Sequence, residues 1–112
     1  MLKPSFAFSG SLSKLKIGVI GTGLRGQWMI NLFLDRPDVE ISAICDIDDK
    51  MIEMTKEIFR KKGRPIPKIY NRDENDYLNL LSNEDLDGVN IATPWRWHHP
   101  MAISAMKNNV HV

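Results

Sequence analysis

Apolar positions along this chain follow two rhythms. Short runs rich in β-branched residues, at Lys16–Ile20, Glu40–Cys45, Lys68–Tyr70, Gly88–Ala92 and Val110–Val112, alternate with longer stretches whose apolar residues recur at three- and four-residue spacings. The first rhythm predicts strands and the second amphipathic helices. In the first helix Leu24, Trp28 and Leu32 gather on one face with Met29 and Phe33, and Pro37 ends it. The second carries Met51, Met54, Thr55, Ile58 and Phe59, with Asp48 as its cap, Gly63 at its close and Pro65 beyond. Its methionines read as core filling. A short third helix is predicted around Asn75–Leu81. A fourth runs from about His99 to Lys107, with Met101, Ala102, Ala105 and Met106 on one face. Five strands alternating with four helices make βα units and a parallel sheet. Right-handed crossovers then give a doubly wound α/β sheet of order 3-2-1-4-5, with ligands outside the carboxyl ends of the strands, at the switch between strands 1 and 4.

The join between the first strand and the first helix reads Gly21-Thr22-Gly23-Leu24-Arg25-Gly26, a G-x-G-x-x-G in a strand–turn–helix setting. Gly21 would make the tight turn, Gly23 would let the backbone approach a pyrophosphate, and Gly26 would allow close packing of helix on strand. Amides exposed at the helix start would face the anion. Asp46 closes the second strand, twenty residues after Gly26. A carboxylate at that spacing accepts hydrogen bonds from the adenosine ribose and repels the added phosphate of NADP. The expected cofactor is therefore NAD, held in a Rossmann-type domain. Arg25 and Lys50 are the cations that could still favour NADP. Asp46 also has a plain alternative as a turn or helix cap, and Arg25 has one as a solvated helix residue.

Composition narrows the functional classes. The 112 residues are 43% hydrophobic and 26% charged, the balance of one soluble globular domain. Fifteen basic against fourteen acidic residues leave a net charge of +1, so no broad field argues for nucleic acid or a membrane surface. The Arg60-Lys61-Lys62-Gly63-Arg64 cluster reads as the cationic end of a helix. Cys45 is the sole cysteine and sits in an apolar run, which leaves a disulfide or a metal cluster without support. No G-x-S-x-G or H-E-x-x-H element occurs. Asp35, Asp38, Glu53, Glu57, Asp73, Glu74, Asp76, Glu84, Asp85 and Asp87 fall on helix faces or turns, where solvated charge is expected. Residues 1–14, Ser-rich and broken by Pro4 and Gly10, lack a signal-peptide core or a membrane span and read as a flexible extension. The NAD-binding domain then occupies residues 15–112. The chain as given is expected in the cytoplasm, with export of a longer parent left open.

After the fourth strand comes Thr93-Pro94-Trp95-Arg96-Trp97-His98-His99-Pro100, unusually dense in aromatic and titratable groups. At the carboxyl edge of the sheet, a tryptophan could wall the nicotinamide or a sugar ring, and His98 could donate hydrogen bonds or titrate near neutrality. His99 reads as a helix-start residue and His111 as a strand residue. With the glycine loop, Asp46 and this segment in place, residues Leu15 to Val112 resemble the N-terminal domain of the glucose-fructose oxidoreductase/inositol dehydrogenase/rhizopine catabolism (Gfo/Idh/MocA) family. That family usually has Thr-Pro-Asn-x-x-His after the fourth strand. Here Thr93, Pro94 and His98 match, and Trp95 replaces the asparagine.

The run Trp95 to Ala102, together with Gly21 to Gly26 and Ala43 to Asp48, resembles the NAD-dependent glycosidases of glycoside hydrolase family 109, whose known activity is α-N-acetylgalactosaminidase. The resemblance implies that Leu24, Arg25, Asp46, Trp95, Arg96, Trp97 and His98 contact NAD. It also implies transient oxidation at sugar C3, loss of the acidified C2 proton, elimination of the aglycone, addition of water and return of the hydride, an exception to two-carboxylate hydrolysis. The acid and base would belong largely to a second domain, so no catalytic residue is assigned in this chain, and no metal is expected. The final strand stops after three residues, which reads as a domain cut from something longer. A sugar or polyol dehydrogenase and a non-catalytic nucleotide-binding module are the alternatives. The expected partner is a small-molecule sugar or glycoside, without nucleic acid or membrane, and a homo-oligomer is left open.

Overall fold

A computed structural model describes residues 14–93 and 95–112, the side chains of residues 95–97 excepted. The expectation for residues 1–14 therefore lies, Lys14 aside, outside the described residues. Four strands, β1 (Leu15–Ile20), β2 (Val39–Cys45), β3 (Lys68–Tyr70) and β4 (Gly88–Ile91), alternate with four helices, α1 (Leu24–Leu34), α2 (Asp49–Lys61), α3 (Tyr77–Asn83) and α4 (Trp95–Lys107). The strands form one parallel sheet of order β3-β2-β1-β4. A fifth strand at Val110–Val112 is not formed. After Asn109, at φ +60°, only His111 pairs, in a single parallel bridge to Gly88 on the predicted side of β4.

Each strand buries both faces, as expected where helices cover a parallel sheet on two sides. Val19, Ile41 and Ile44 pack with Ile30 and Leu34 of α1 and with Ile52 and Phe59 of α2. On the other face Ile20, Ala43, Cys45 and Val89 pack with Leu80 and Leu81 of α3 and with Met101 and Ala105 of α4. The two crossover directions thus make three layers.

The caps of α2 follow the sequence. Asp48 accepts from the amides of Lys50 and Met51, basic residues fill the last turn, and Gly63 leaves the helix at φ +66°. Its buried face is Ile52, Thr55 and Phe59, while Met54 is exposed rather than core filling.

Helix α1 is rotated from the expected orientation. Leu24, Trp28 and Leu32 are 79%, 59% and 46% exposed, and the buried residues are Gly26, Gln27, Ile30 and Leu34. The two sets are offset by two residues, about 200° around a helix. LRGQWMINLFL is apolar on both sides, so periodicity alone cannot choose the inner face. Gly26 chooses it: a β-carbon there would stand 2.0 Å from the Gly21 carbonyl oxygen. Buried Gln27 then donates from Nε2 to the Thr22 carbonyl at 2.8 Å.

α4 also departs from expectation, starting at Trp95, one turn before His99, with Pro100 inside it. Proline favours the first helical turn, which places the expected start too late. Asp76 contradicts the expectation of a solvated carboxylate. It is 2% exposed, accepts from the Arg72 amide at 3.1 Å and from Asn79 Nδ2 at 2.7 Å, and so fixes the loop between β3 and α3. Among the described residues no helix is long and apolar enough to cross a membrane.

Cys45 is buried at the end of β2, where desolvation pushes its thiol up to about 12 and the nearby Asp76 carboxylate adds to the shift. Reaction requires the thiolate and access. The native chain should resist a thiol-exchange reagent at pH 8 and react fully once unfolded in urea; prompt native reaction would show that the end of β2 opens.

Candidate nucleotide-binding site

The glycines after β1 meet three separate demands. Gly21 sits at φ +95°, and a β-carbon there would lie 2.8 Å from the backbone of Ala92. Its amide donates to the Cys45 carbonyl at 2.8 Å, so the turn spans the tips of three strands. Gly26 provides the close contact of α1 with that turn. Gly23, the N-cap of α1, has ordinary dihedrals and no side-chain cap, and a β-carbon on it would meet nothing within 4 Å. The space before Gly23 is open, and the helix start beside it presents unpaired amides and the positive end of the helix dipole.

Asp46 closes that opening on the β2 side. Oδ2 accepts from the Thr22 amide at 2.7 Å and from Thr22 Oγ1 at 3.0 Å, and Oδ1 accepts from the Asp48 amide at 2.9 Å. The carboxylate is therefore a turn cap as well as a ligand candidate. Each carboxylate oxygen offers about two lone-pair sites, so Oδ1 keeps capacity for one further donor while Oδ2 is filled.

Gly21, Gly23 and Asp46 share a crevice of about 300 Å³ with Ile47, Asp73 and Glu74 on one side and Ala92, Thr93 and Met101 on the other. It lies at the carboxyl ends of the strands, where β1 parts β2 from β4. A larger hollow of about 470 Å³ opens at the opposite ends, between Lys16, Glu40 and Lys68. That hollow carries both charge signs and lacks the glycine turn, so size is a poor guide here.

Three expected contacts thus come together. Gly26 lies buried behind the turn, and Leu24 and Arg25 are exposed on the first turn of α1, outside the crevice lining. The side chains of Trp95, Arg96 and Trp97 lie outside the described residues, although their backbone opens α4. His98 is exposed, and its Nε2 donates to the Thr93 carbonyl at 2.6 Å. A carbonyl only accepts, so this bond places the proton on Nε2 and turns the ring back on the β4–α4 junction. Sequence reasoning missed Ile47, Asp73, Glu74, Ala92 and Met101. Ile47 follows Asp46 directly, a usable signal, whereas the loop after β3 carries no comparable mark.

The residues fit a dinucleotide: the space at Gly23 is free of protein atoms within 4 Å of where a β-carbon would stand, an acceptor stands beside it at Asp46, and the helix start supplies donors. Residues 15–112 match the Gfo/Idh/MocA oxidoreductase family, NAD-binding Rossmann fold. The chain is 43% identical over 98 residues to a glycosyl hydrolase family 109 protein of Saccharopolyspora erythraea, covering 88% of this chain and 21% of that protein. It is 46% identical over 101 residues to another of Streptomyces filamentosus, covering 89% and 20%. The crystal structure of scyllo-inositol dehydrogenase from Lactobacillus casei, with bound NAD(H) and scyllo-inositol, matches with TM-score 0.72 at 19% identity over 89% of this chain and 27% of that one. That of myo-inositol dehydrogenase from Lactobacillus casei, in complex with NAD(H) and myo-inositol, matches with TM-score 0.70 at 26% identity, covering 87% and 26%. The chain thus spans about a fifth of the length of these curated relatives.

Two glycine substitutions should separate architecture from binding. Gly26→Ala meets backbone and should lower stability in urea by about 1–3 kcal/mol. Gly23→Ala, whose β-carbon would meet nothing, should lose only N-cap preference, about 1 kcal/mol or less, yet weaken dinucleotide binding. Unchanged binding by Gly23→Ala would remove Gly23 from the site.

Proposed function

This chain belongs to the Gfo/Idh/MocA oxidoreductase family with an NAD-binding Rossmann fold, and from that premise we propose that it is the NAD-binding domain of a sugar-active enzyme, an NAD-dependent glycosidase of the α-N-acetylgalactosaminidase kind. The observation that carries the cofactor part is the open cradle at Gly23 beside Asp46. The glycosidase part is supported by the glycosyl hydrolase family 109 relatives at 43% and 46% identity, well above the 19% and 26% of the two inositol dehydrogenases.

NAD held in the crevice would supply a hydride acceptor that is regenerated within one turnover. The amides at the start of α1 would hold the pyrophosphate, and Asp46 Oδ1 would take a ribose hydroxyl. The Trp95–His98 turn at the head of α4 would stand at the nicotinamide end. His98, committed to Thr93, positions this turn. The acid and base for a C2 proton would come from outside these 112 residues, which span about a fifth of the length of the curated relatives. A sugar or polyol dehydrogenase is the second reading, favoured by the inositol dehydrogenase structures.

Calorimetric titration of the chain should give tighter binding of NAD than of NADP. Asp46→Asn removes the charge and turns one of the two accepting oxygens into a donor, so it should weaken NAD and bring the two affinities together. Equal affinities for the unaltered chain, or a preference for NADP, would sink the Asp46 assignment.

A full-length protein containing this chain should cleave a chromogenic α-N-acetylgalactosaminide with retention and without net NADH, and should place deuterium at C2 of the released sugar in deuterated water. Cleavage without exchange would reject the redox route. NADH accumulation on free sugar without cleavage would establish the dehydrogenase reading instead.

A further inference from the structure

We infer that Asp73 reads the exocyclic amino group of the adenine ring, so that the crevice selects adenine over hypoxanthine dinucleotides; this rests on the NAD reading above. The order of the strands fixes where the base lies. The glycine turn belongs to β1 and takes the pyrophosphate, and Asp46 belongs to β2 and takes the ribose. What remains on the far side of β2 is the adenine end. There the crevice is lined by Ile47, Asp73 and Glu74, while Ala92, Thr93 and Met101 line the β4 end. Sheet order β3-β2-β1-β4 thus becomes the order base, ribose, pyrophosphate, nicotinamide along the ligand.

A purine offers a flat apolar face and a polar edge. Ile47, 60% exposed immediately after Asp46, supplies apolar surface for the face. For the edge, the decisive position is the substituent on the six-membered ring: adenine carries an amino donor, hypoxanthine a carbonyl acceptor. An ionised carboxylate only accepts, so it favours the first and repels the second.

Asp73 is held for this role by its own loop. Oδ1 accepts from the Asn75 amide at 2.8 Å, and its carbonyl accepts from the Asp76 amide at 3.1 Å. Asp76, buried and bonded to Arg72 and Asn79, pins both ends of the same turn. One amide occupies one of about four lone-pair sites on the carboxylate, which leaves Oδ2 for a ligand. The neighbouring Glu74 lines the same rim on a longer arm. Asp46, Asp73 and Glu74 together also keep phosphate off this end of the crevice and towards the amides of α1.

The test is calorimetric titration of the 112-residue chain with NAD and with nicotinamide hypoxanthine dinucleotide. NAD should bind about tenfold more tightly, the low end for a hydrogen bond to a charged group. Asp73→Asn keeps its oxygen for the Asn75 amide and puts a donor NH2 in the place of Oδ2, which suits a carbonyl and not an amine, so the ratio should fall to about one or invert. Glu57→Gln, on the exposed face of α2 and outside the crevice, should leave it unchanged. A ratio near one for the unaltered chain, an intact ratio in Asp73→Asn, or a ratio that collapses only in Glu74→Gln would each overturn the assignment. Failure to bind either dinucleotide is a different result; it defeats the NAD reading itself and this inference with it.

Discussion

The Gly21 carbonyl oxygen and the α-carbon of Gly26 stand so close that no side chain fits between them. This contact sets the rotation of α1 about its axis. With Gly26 inward, Ile30 and Leu34 follow one and two turns later and enter the core beside Val19 and Ile44. The same rotation aims the first turn of α1 over the tips of the strands, leaves Gly23 facing empty space, and sends Leu24, Trp28 and Leu32 outward. The absence of one β-carbon thus couples core packing to the direction of the donors.

Asp46 couples a second pair of requirements. A carboxylate that accepts from Thr22 and Asp48 holds the end of β2 against the glycine turn before any ligand arrives. That bonding orients the group, and an oriented acceptor loses little freedom on binding. It also concentrates risk, since removing the side chain disturbs the turn together with the proposed ribose contact. Asparagine in its place keeps one accepting oxygen, so it disturbs the turn less than truncation does.

Much of this was legible in the sequence, because parallel strands buried on both faces, helix caps and glycine turns each leave a local signature. The four strands fall within a residue or so of their expected limits, and Asp48 and Gly63 bound α2 as read. Other features are set by contacts remote in sequence. The inner face of α1 depends on a clash with position 21 rather than on where its leucines fall. The start of α4 ignores the preference of Pro100 for a first turn. The fifth strand reduces to the His111 bridge, since pairing depends on more than β-rich composition. Gly21, Gly23 and Asp46, which the sequence singles out, do line one crevice, because the turn between β1 and α1 and the end of β2 demand those residue types. Asp73 and Glu74 line it too, and nothing in an acidic loop marks them as lining a crevice rather than facing bulk solvent.

The outward stripe of α1 bears on how the chain behaves as a colloid. Leu24, Trp28 and Leu32 lie one above another on the side of the helix farthest from the sheet, so their hydration is largely independent of whether the core is intact. Salts such as sulfate, excluded from protein surface, strengthen the tendency of apolar area to leave water. They would act on this ridge while also stabilising the fold. Salting-out and unfolding would then respond to different parts of one helix: the first to the residues at 24, 28 and 32, the second to those at 26, 30 and 34.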